Sequence, residues 1–352
     1  MPTNSLSEIP LIDLGPYFAG DPAAKRRVAG EMNRACERIG FFLVSGHGVD
    51  PALCETMRRE SRAFFALPFK EKLAIKQRQD DKASRGYEPV GTEQLSATIG
   101  VETPPDLKES LSLGPLEVPD HPSCRTEAAA PHFAPNMWPS RPAGLRPAYE
   151  AYIRALDRLG RHLHRLASIA LDLPEDHFED KLDRGFNLFR VLNYPEQMME
   201  PEEGQLRAGE HSDYDFLTIC LIEDKPGGLQ ARGPDGSWVD VPVVAGSFVV
   251  NIGDMVMRWT NDRWRSTRHR VVNPPRATGE RLSACHFIMP NHDAVIECLP
   301  TCQGRGRPAK YPPIVAGDYM NEKFASQTSR KEWSDDERRK FGTADTESRF
   351  AH

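Results

Sequence analysis

The chain has 352 residues, 39% of them hydrophobic, enough to bury one large core or two intimate ones. Its 45 lysines and arginines stand against 51 aspartates and glutamates, and the formal net charge of -6 offers no general attraction for phosphate backbones or anionic lipid. No nucleic-acid or membrane partner is expected. The N-terminus lacks a basic start followed by an apolar run and a cleavage site, and no apolar stretch is long enough to span a bilayer. Seven cysteines (36, 54, 124, 220, 285, 298 and 302) are scattered and never in C-x-x-C spacing, which excludes a disulfide scaffold and a zinc ribbon. A cytoplasmic protein with reduced thiols is expected, its oligomeric state left open.

Residues 9–14 read as a short strand ended by Gly15-Pro16. From Ala24 to Ile39, Val28, Met32, Ala35, Cys36 and Ile39 recur at helical spacing, and Gly40 follows where a C-cap glycine belongs. A β-rich run, Gly40-Phe-Phe-Leu-Val-Ser-Gly-His-Gly48, comes next, after which Asp50 can cap a helix running into Phe64-Phe65. Residues 103–147 hold ten of the 30 prolines and predict a long irregular excursion of the kind used for lids. Ile153, Leu156, Leu163, Leu166, Ala167 and Ala170 then mark one face of a helix that supports a sheet.

Over 186–300 the texture becomes short apolar or alternating runs, at 216–222, 238–241, 247–252 and 282–289, and a jelly roll is the natural candidate. Charged residues 329–340 predict a solvated helix or loose tail. The division expected is an α/β N-terminal region at 8–125, a support helix with its connections at 126–180, a jelly-roll core at 181–302 and a C-terminal helical or loose tail at 303–352.

His211 and Asp213 open a strand-like run, His-Ser-Asp-Tyr-Asp-Phe-Leu-Thr-Ile-Cys, where i and i+2 share a face, so imidazole and carboxylate can converge on one ion. His177-Phe-Glu179 has the same spacing in a polar charged segment, where an ordinary surface role is favoured. His269 supplies a third donor. Two imidazoles and one carboxylate on an octahedral ion leave three positions open, the arrangement of non-haem iron(II) oxygenases. Zinc competes for such donors, but nothing here matches His-Glu-x-x-His. Arg281-Leu-Ser283 puts a guanidinium and a hydroxyl on one strand face, suited to a carboxylate, and Tyr194 offers a phenol to the same group. Phe287 shares the parity of Arg281 and is expected to face the cavity.

At these residues the sequence resembles the 2-oxoglutarate and iron(II)-dependent dioxygenases, in the isopenicillin N synthase-like branch. The likeness covers nearly the whole chain, including Gly40-Phe-Phe-Leu-Val-Ser-Gly-His-Gly-Val49, Gly227-Gly-Leu-Gln230, Asp235-Gly-Ser-Trp-Val-Asp-Val-Pro242 and Val250-Asn-Ile-Gly-Asp254. The resemblance implies a mainly β protein with an α/β N-terminal part and a double-stranded β-helix (jelly roll) core flanked by helices. It also implies His211, Asp213 and His269 as iron ligands, with Arg281, Ser283 and Tyr194 on 2-oxoglutarate. Dioxygen is the further co-substrate, ascorbate a candidate reductant, and succinate and CO2 the co-products. The substrate is expected to be a small metabolite that is hydroxylated, desaturated or cyclised. Tyr214, Phe216, Arg258, Phe287 and Lys108 are candidate substrate contacts, Lys108 from an N-terminal segment over the cavity. The alternatives are an oxidase of the same branch that needs no 2-oxo acid and a catalytically silent ligand-binding module.

Overall fold

The computed structural model describes residues 9–76, 84–196, 200–223, 225, 228–274 and 279–328, and the segment 329–340 lies outside them. The first apolar run forms strand β1 (Leu11–Asp13). Gly15-Pro16 end it by starting a helical turn, Gly15–Phe18, because proline at the first helical positions forfeits no hydrogen bond. Helix α1 (Pro22–Arg38) begins ahead of its apolar stripe, since the Asp21 carboxylate accepts from the Ala23 N–H at 2.8 Å. It buries Val28, Met32, Ala35 and Cys36 and stops at Gly40, whose φ is +68°. Strand β2 (Phe41–Ser45) follows, then helix α2 (Pro51–Phe65), capped by Asp50 as expected, and strand β3 (Gly86–Glu88).

The excursion predicted over 103–147 contains a strand that the sequence reading missed, β4 (Glu109–Leu113), buried along its whole length. Its polar residues hid it, because they meet polar partners inside the fold. Glu109 accepts from Lys72 Nζ at 2.7 Å, Tyr87 Oη at 2.5 Å and Asn193 Nδ2 at 2.9 Å, and Ser112 Oγ accepts from Arg190. Helix α3 (Leu145–Ala170) is the support helix, with α1 and α2 packed against it.

The remaining strands are β5 (Leu188–Tyr194), β6 (Ala208–His211), β7 (Leu217–Ile222), β8 (Leu229–Arg232), β9 (Trp238–Asp240) and β10 (Phe248–Ile252). Helix α4 (Asp254–Trp259), strands β11 (His269–Val271) and β12 (Arg281–Ile288), a small ladder of Val295–Ile296 with Ile314–Val315, and helix α5 (Ala316–Thr328) follow. They build an eight-stranded sheet, β1-β2-β10-β7-β12-β5-β4-β3, and a four-stranded sheet, β6-β11-β8-β9, the double-stranded β-helix that the resemblance implied. Alternation gives the large sheet two chemistries. Phe189, Val191, Leu217, Ile219, Leu282, Ala284 and Ile288 join the core shared with the helices, while Arg190, Tyr194, Cys220, Arg281, Ser283 and Phe287 line a cavity on the other face. Among the described residues no helix is long and apolar enough to cross a membrane.

Gly40 joins α1 to β2 in a left-handed conformation, and a Cβ there would lie 2.0 Å from the Arg265 carbonyl oxygen. Gly40→Ala is therefore expected to lose at least about 1–2 kcal/mol from backbone strain alone, read as a lower denaturant midpoint. Burial drives the His164 imidazole down to about 3 and that of His132 to about 4, so both are neutral in the fold. Unfolded, each takes up a proton near pH 6.5, so the unfolded chain binds more protons below that pH. Stability is expected to be flat above about pH 6.5 and to fall from there toward pH 4. Urea titrations across that range check it, and the slope should shrink in His164→Leu.

Candidate metal centre and active site

Strand β6 ends at His211, which is paired in the ladder with His269 at the start of β11, and the two rings are 4.2 Å apart. Each Nδ1 faces a backbone carbonyl oxygen, His211 that of Gly209 at 2.8 Å and His269 that of Thr267 at 3.1 Å. A proton on Nδ1 donates to that oxygen and leaves Nε2 as the lone-pair donor. Asp213 Oδ1 lies 3.8 Å from both Nε2 atoms. One ligand atom from each of the three side chains falls within 4.8 Å of the others, and among the described residues this is the one such group of three or more His, Cys, Asp or Glu.

Strand alternation does not bring Asp213 there, contrary to the expectation. The chain leaves β6 after His211, and the Asp213 carbonyl accepts from the Asp254 N–H at 2.8 Å at the head of α4. The same departure turns Tyr214 into the cavity. Asp213 Oδ2 accepts from Thr218 Oγ1 at 2.5 Å and from Asn251 Nδ2 at 2.7 Å, which leaves Oδ1 for an ion. Burial pushes the Asp213 carboxyl up, but His269, His211 and these donors outweigh it and hold it below the usual range. Burial, with His269 beside it, takes His211 down to about 3, so both ligand types are in their metal-binding form at neutral pH.

Asp215 was not singled out in the sequence. Burial and the Asp213 charge push its carboxyl well above the usual range, and its Oδ2 is 2.9 Å from Thr218 Oγ1. Kept protonated, it can donate to Thr218, whose own proton then goes to Asp213. His177 and Glu179 do not join the cluster.

A cavity of about 740 Å³ extends from this cluster along the inner sheet face. At one end Arg281 stands opposite Tyr194 in the β5–β12 ladder, its guanidinium 5.4 Å from that ring, and Tyr194 shares a hydrogen bond with Ser283. Arg207, also missed in the sequence, packs over the same ring at 5.8 Å and is fully buried. Its Nε and Nη1 have no hydrogen-bond partner among the described residues, and burial together with Arg281 pulls its pKa down. Two buried guanidinia flank one phenol here, donors of the kind that hold a carboxylate.

The opposite wall carries charges that are matched. Lys108 pairs with Asp106 at 2.5 Å and with Glu93 at 3.1 Å, and Glu93 also pairs with Arg190 at 2.8 Å. Burial works against the Glu93 carboxylate, yet the two cations hold it down to about 2. Lys108 thus belongs to a fixed wall just before β4 and not to a covering lid. Leu188, Tyr214, Phe287, Met289 and, from α5, Met320 add apolar surface. Phe216 and Arg258 do not reach the cavity. Phe216 is fully buried against Phe178, Trp259 and His164, and Arg258 donates to the Pro312 carbonyl at 3.0 Å while stacking on Tyr311.

Two family profiles match the chain. One, described as the N-terminal part of non-haem dioxygenase in morphine synthesis, covers residues 9–141; the other, the 2OG-Fe(II) oxygenase superfamily, covers residues 186–290. The chain is 34% identical over 328 residues to hxnY, a 2-oxoglutarate-Fe(II) type oxidoreductase of Emericella nidulans, covering 92% of this chain and 91% of that one. It is 34% identical over 327 residues to a homoarginine-6-hydroxylase of Oryza sativa subsp. japonica, covering 90% of this chain and 96% of the relative. The crystal structure of a full-length Neurospora crassa protein in complex with alpha-KG superposes with a TM-score of 0.80 at 30% identity, over 92% of this chain and 98% of that one.

Thr218→Val removes a donor to Asp213 without touching a metal donor atom. It is expected to weaken divalent-ion binding by roughly 10- to 100-fold with little change in thermal midpoint, measured by chelator competition.

Proposed function

Because the chain belongs to the 2-oxoglutarate-Fe(II) oxygenase superfamily and is an Fe(II)/2-oxoglutarate-dependent dioxygenase of a small metabolite, we propose that His211, Asp213 and His269 hold its iron. Arg281, Ser283 and Tyr194 hold the distal carboxylate of 2-oxoglutarate, and Arg207 strengthens the positive potential there. The observation that carries this reading is the donor geometry. Two Nε2 atoms and one carboxylate oxygen converge, while every other polar side-chain atom of the three residues has a partner. These three donors would hold an iron(II) ion without surrounding it, so the 2-oxo acid and dioxygen could be taken up beside it. When bound, iron and 2-oxoglutarate supply an oxidation of the substrate by dioxygen that releases succinate and CO2.

The protein's own part is placement and exclusion of water. Thr218 and Asn251 fix which oxygen of Asp213 faces the ion, the two carbonyls fix the imidazole tautomers, and Tyr214, Phe287 and Met320 narrow the cavity beside it. The relatives favour this reading over an oxidase that dispenses with the 2-oxo acid, and the complete donor set speaks against a silent binding module. The relatives named as hydroxylases support hydroxylation as the outcome.

The substrate end supports a neutral, polar small molecule. Its cations Lys76, Lys108 and Arg190 are balanced by Glu88, Glu93 and Asp106, with Thr92, Gln94 and Thr98 as uncharged polar neighbours. Free thiols throughout support a reducing compartment, the cytoplasm.

With iron(II), ascorbate and 2-oxoglutarate under air, the protein is expected to release succinate, faster with its substrate. His211→Ala and Asp213→Ala should each lose iron while keeping the fold; iron retained by both would show that these are not the ligands. Arg281→Leu should keep iron and raise the KM for 2-oxoglutarate by roughly 10- to 100-fold, the worth of charge-assisted hydrogen bonds of about 1.5–3 kcal/mol.

A further inference from the structure

Cys220 and Cys285 stand directly opposite each other in the β7–β12 ladder, with their Sγ atoms 2.8 Å apart. Both line the cavity. Cys285 lies between Ser283 of the carboxylate cradle and Phe287, and Cys220 is two residues from Thr218, which holds Asp213. Directly opposed residues of an antiparallel pair have Cα atoms about 4.5–5.5 Å apart, inside the span that a disulfide bridges, so the ladder need not move for a bond to form. Among the described residues no other two thiols are in hydrogen-bond contact.

We propose that Cys220 and Cys285 are a modification site, a dithiol that peroxide closes to a disulfide and so switches off turnover of 2-oxoglutarate. In the first step the Cys285 sulfur attacks the O–O bond of hydrogen peroxide. It becomes a sulfenic acid, and the displaced hydroxide leaves as water with the thiol proton. In the second the Cys220 sulfur attacks that sulfenic sulfur, the S–S bond forms, and the hydroxyl departs with the Cys220 proton as a second water. Two thiols lose two electrons and one peroxide gains them. The hydrogen bond with Cys220, followed by burial, holds the Cys285 thiol well above its ordinary value. Thiolate is therefore scarce and the first step slow, while the second is favoured by contact.

Closure draws the two side chains together midway between the carboxylate cradle and the Thr218–Asp213 hydrogen bond, reshaping the wall along which an anion held at Arg281 would reach the metal ligands. A reductant restores the thiols, as suits a chain in a reducing compartment, where disulfides are transient. The effect on turnover rests on the functional reading above; the cross-link itself does not.

The full chain, metal-free and iron-loaded, is treated with hydrogen peroxide, quenched with catalase, alkylated and mapped without reduction, and 2-oxoglutarate turnover is followed in parallel. The expected result is a Cys220–Cys285 linked peptide in both forms, with turnover below about a tenth of the untreated value and recovery under dithiothreitol. Cys220→Ser and Cys285→Ser should each keep their own untreated turnover under peroxide. Alkylatable Cys220 and Cys285 after turnover has been lost, equal inactivation of the two variants, or complete cross-linking with unchanged turnover would each overturn the proposal. Absence of turnover before treatment would count against the functional reading instead, and the peptide map would still decide the thiol pair.

Discussion

Asp213 is a buried carboxylate with two imidazoles 3.8 Å away, and keeping it ionised and oriented is the constraint that the rest of the site serves. A lone carboxylate at that depth would take up a proton. Here Thr218 and Asn251 donate to one oxygen, Asp215 Oδ2 lies 2.9 Å behind Thr218 Oγ1, and the Asp254 amide holds the backbone. Those partners come from the loop after β6, from β7, from β10 and from α4. Two strands of the large sheet, the loop that leaves the small sheet and the helix between β10 and β11 therefore meet at one residue.

The cavity divides its electrostatics along its length. Arg281 and Arg207 concentrate positive charge at the Tyr194 end, where a dicarboxylate can recover the cost of two desolvated cations. On the other wall Asp106, Lys108, Glu93 and Arg190 spend their charges on one another. The first arrangement selects an ion; the second provides a rigid polar surface with no net field to attract one. On the functional reading proposed above, this separation would let the co-substrate and the oxidised molecule share one cavity without competing for the same counter-charges.

Much of this architecture was legible in the sequence because it depends on local rules. Asp50 and Gly40 mark helix ends through capping and a left-handed turn, and the parity of Arg281, Ser283 and Phe287 places all three on one face. Features set by distant partners were not legible. Strand β4 looked like loop because Glu109 is satisfied by Lys72, Tyr87 and Asn193, none of them near it in sequence. Asp213 was placed on a strand although a contact with Asp254 takes it off, and Phe216 and Arg258 seemed to flank the cavity when long-range packing turns them away. Arg207 and Asp215 have no local motif at all. A guanidinium 5.8 Å from Tyr194 and a raised carboxyl beside Asp213 exist only once the sheets have closed.

Helix α5 ties these features to the order in which the chain is made. Its Tyr319 hydroxyl donates to Asp254 at 3.1 Å, its Lys323 lies 3.7 Å from the same carboxylate, and its Met320 lines the cavity. Asp254 is the residue whose amide holds Asp213, so the last described helix grips the metal loop from outside. On a ribosome, where the N-terminal part of a chain emerges and folds first, the three donors and the carboxylate cradle leave the exit tunnel before α5 does. The three donors can thus be in place before the part of the cavity wall that carries Met320, which lies more than thirty residues after Ser283.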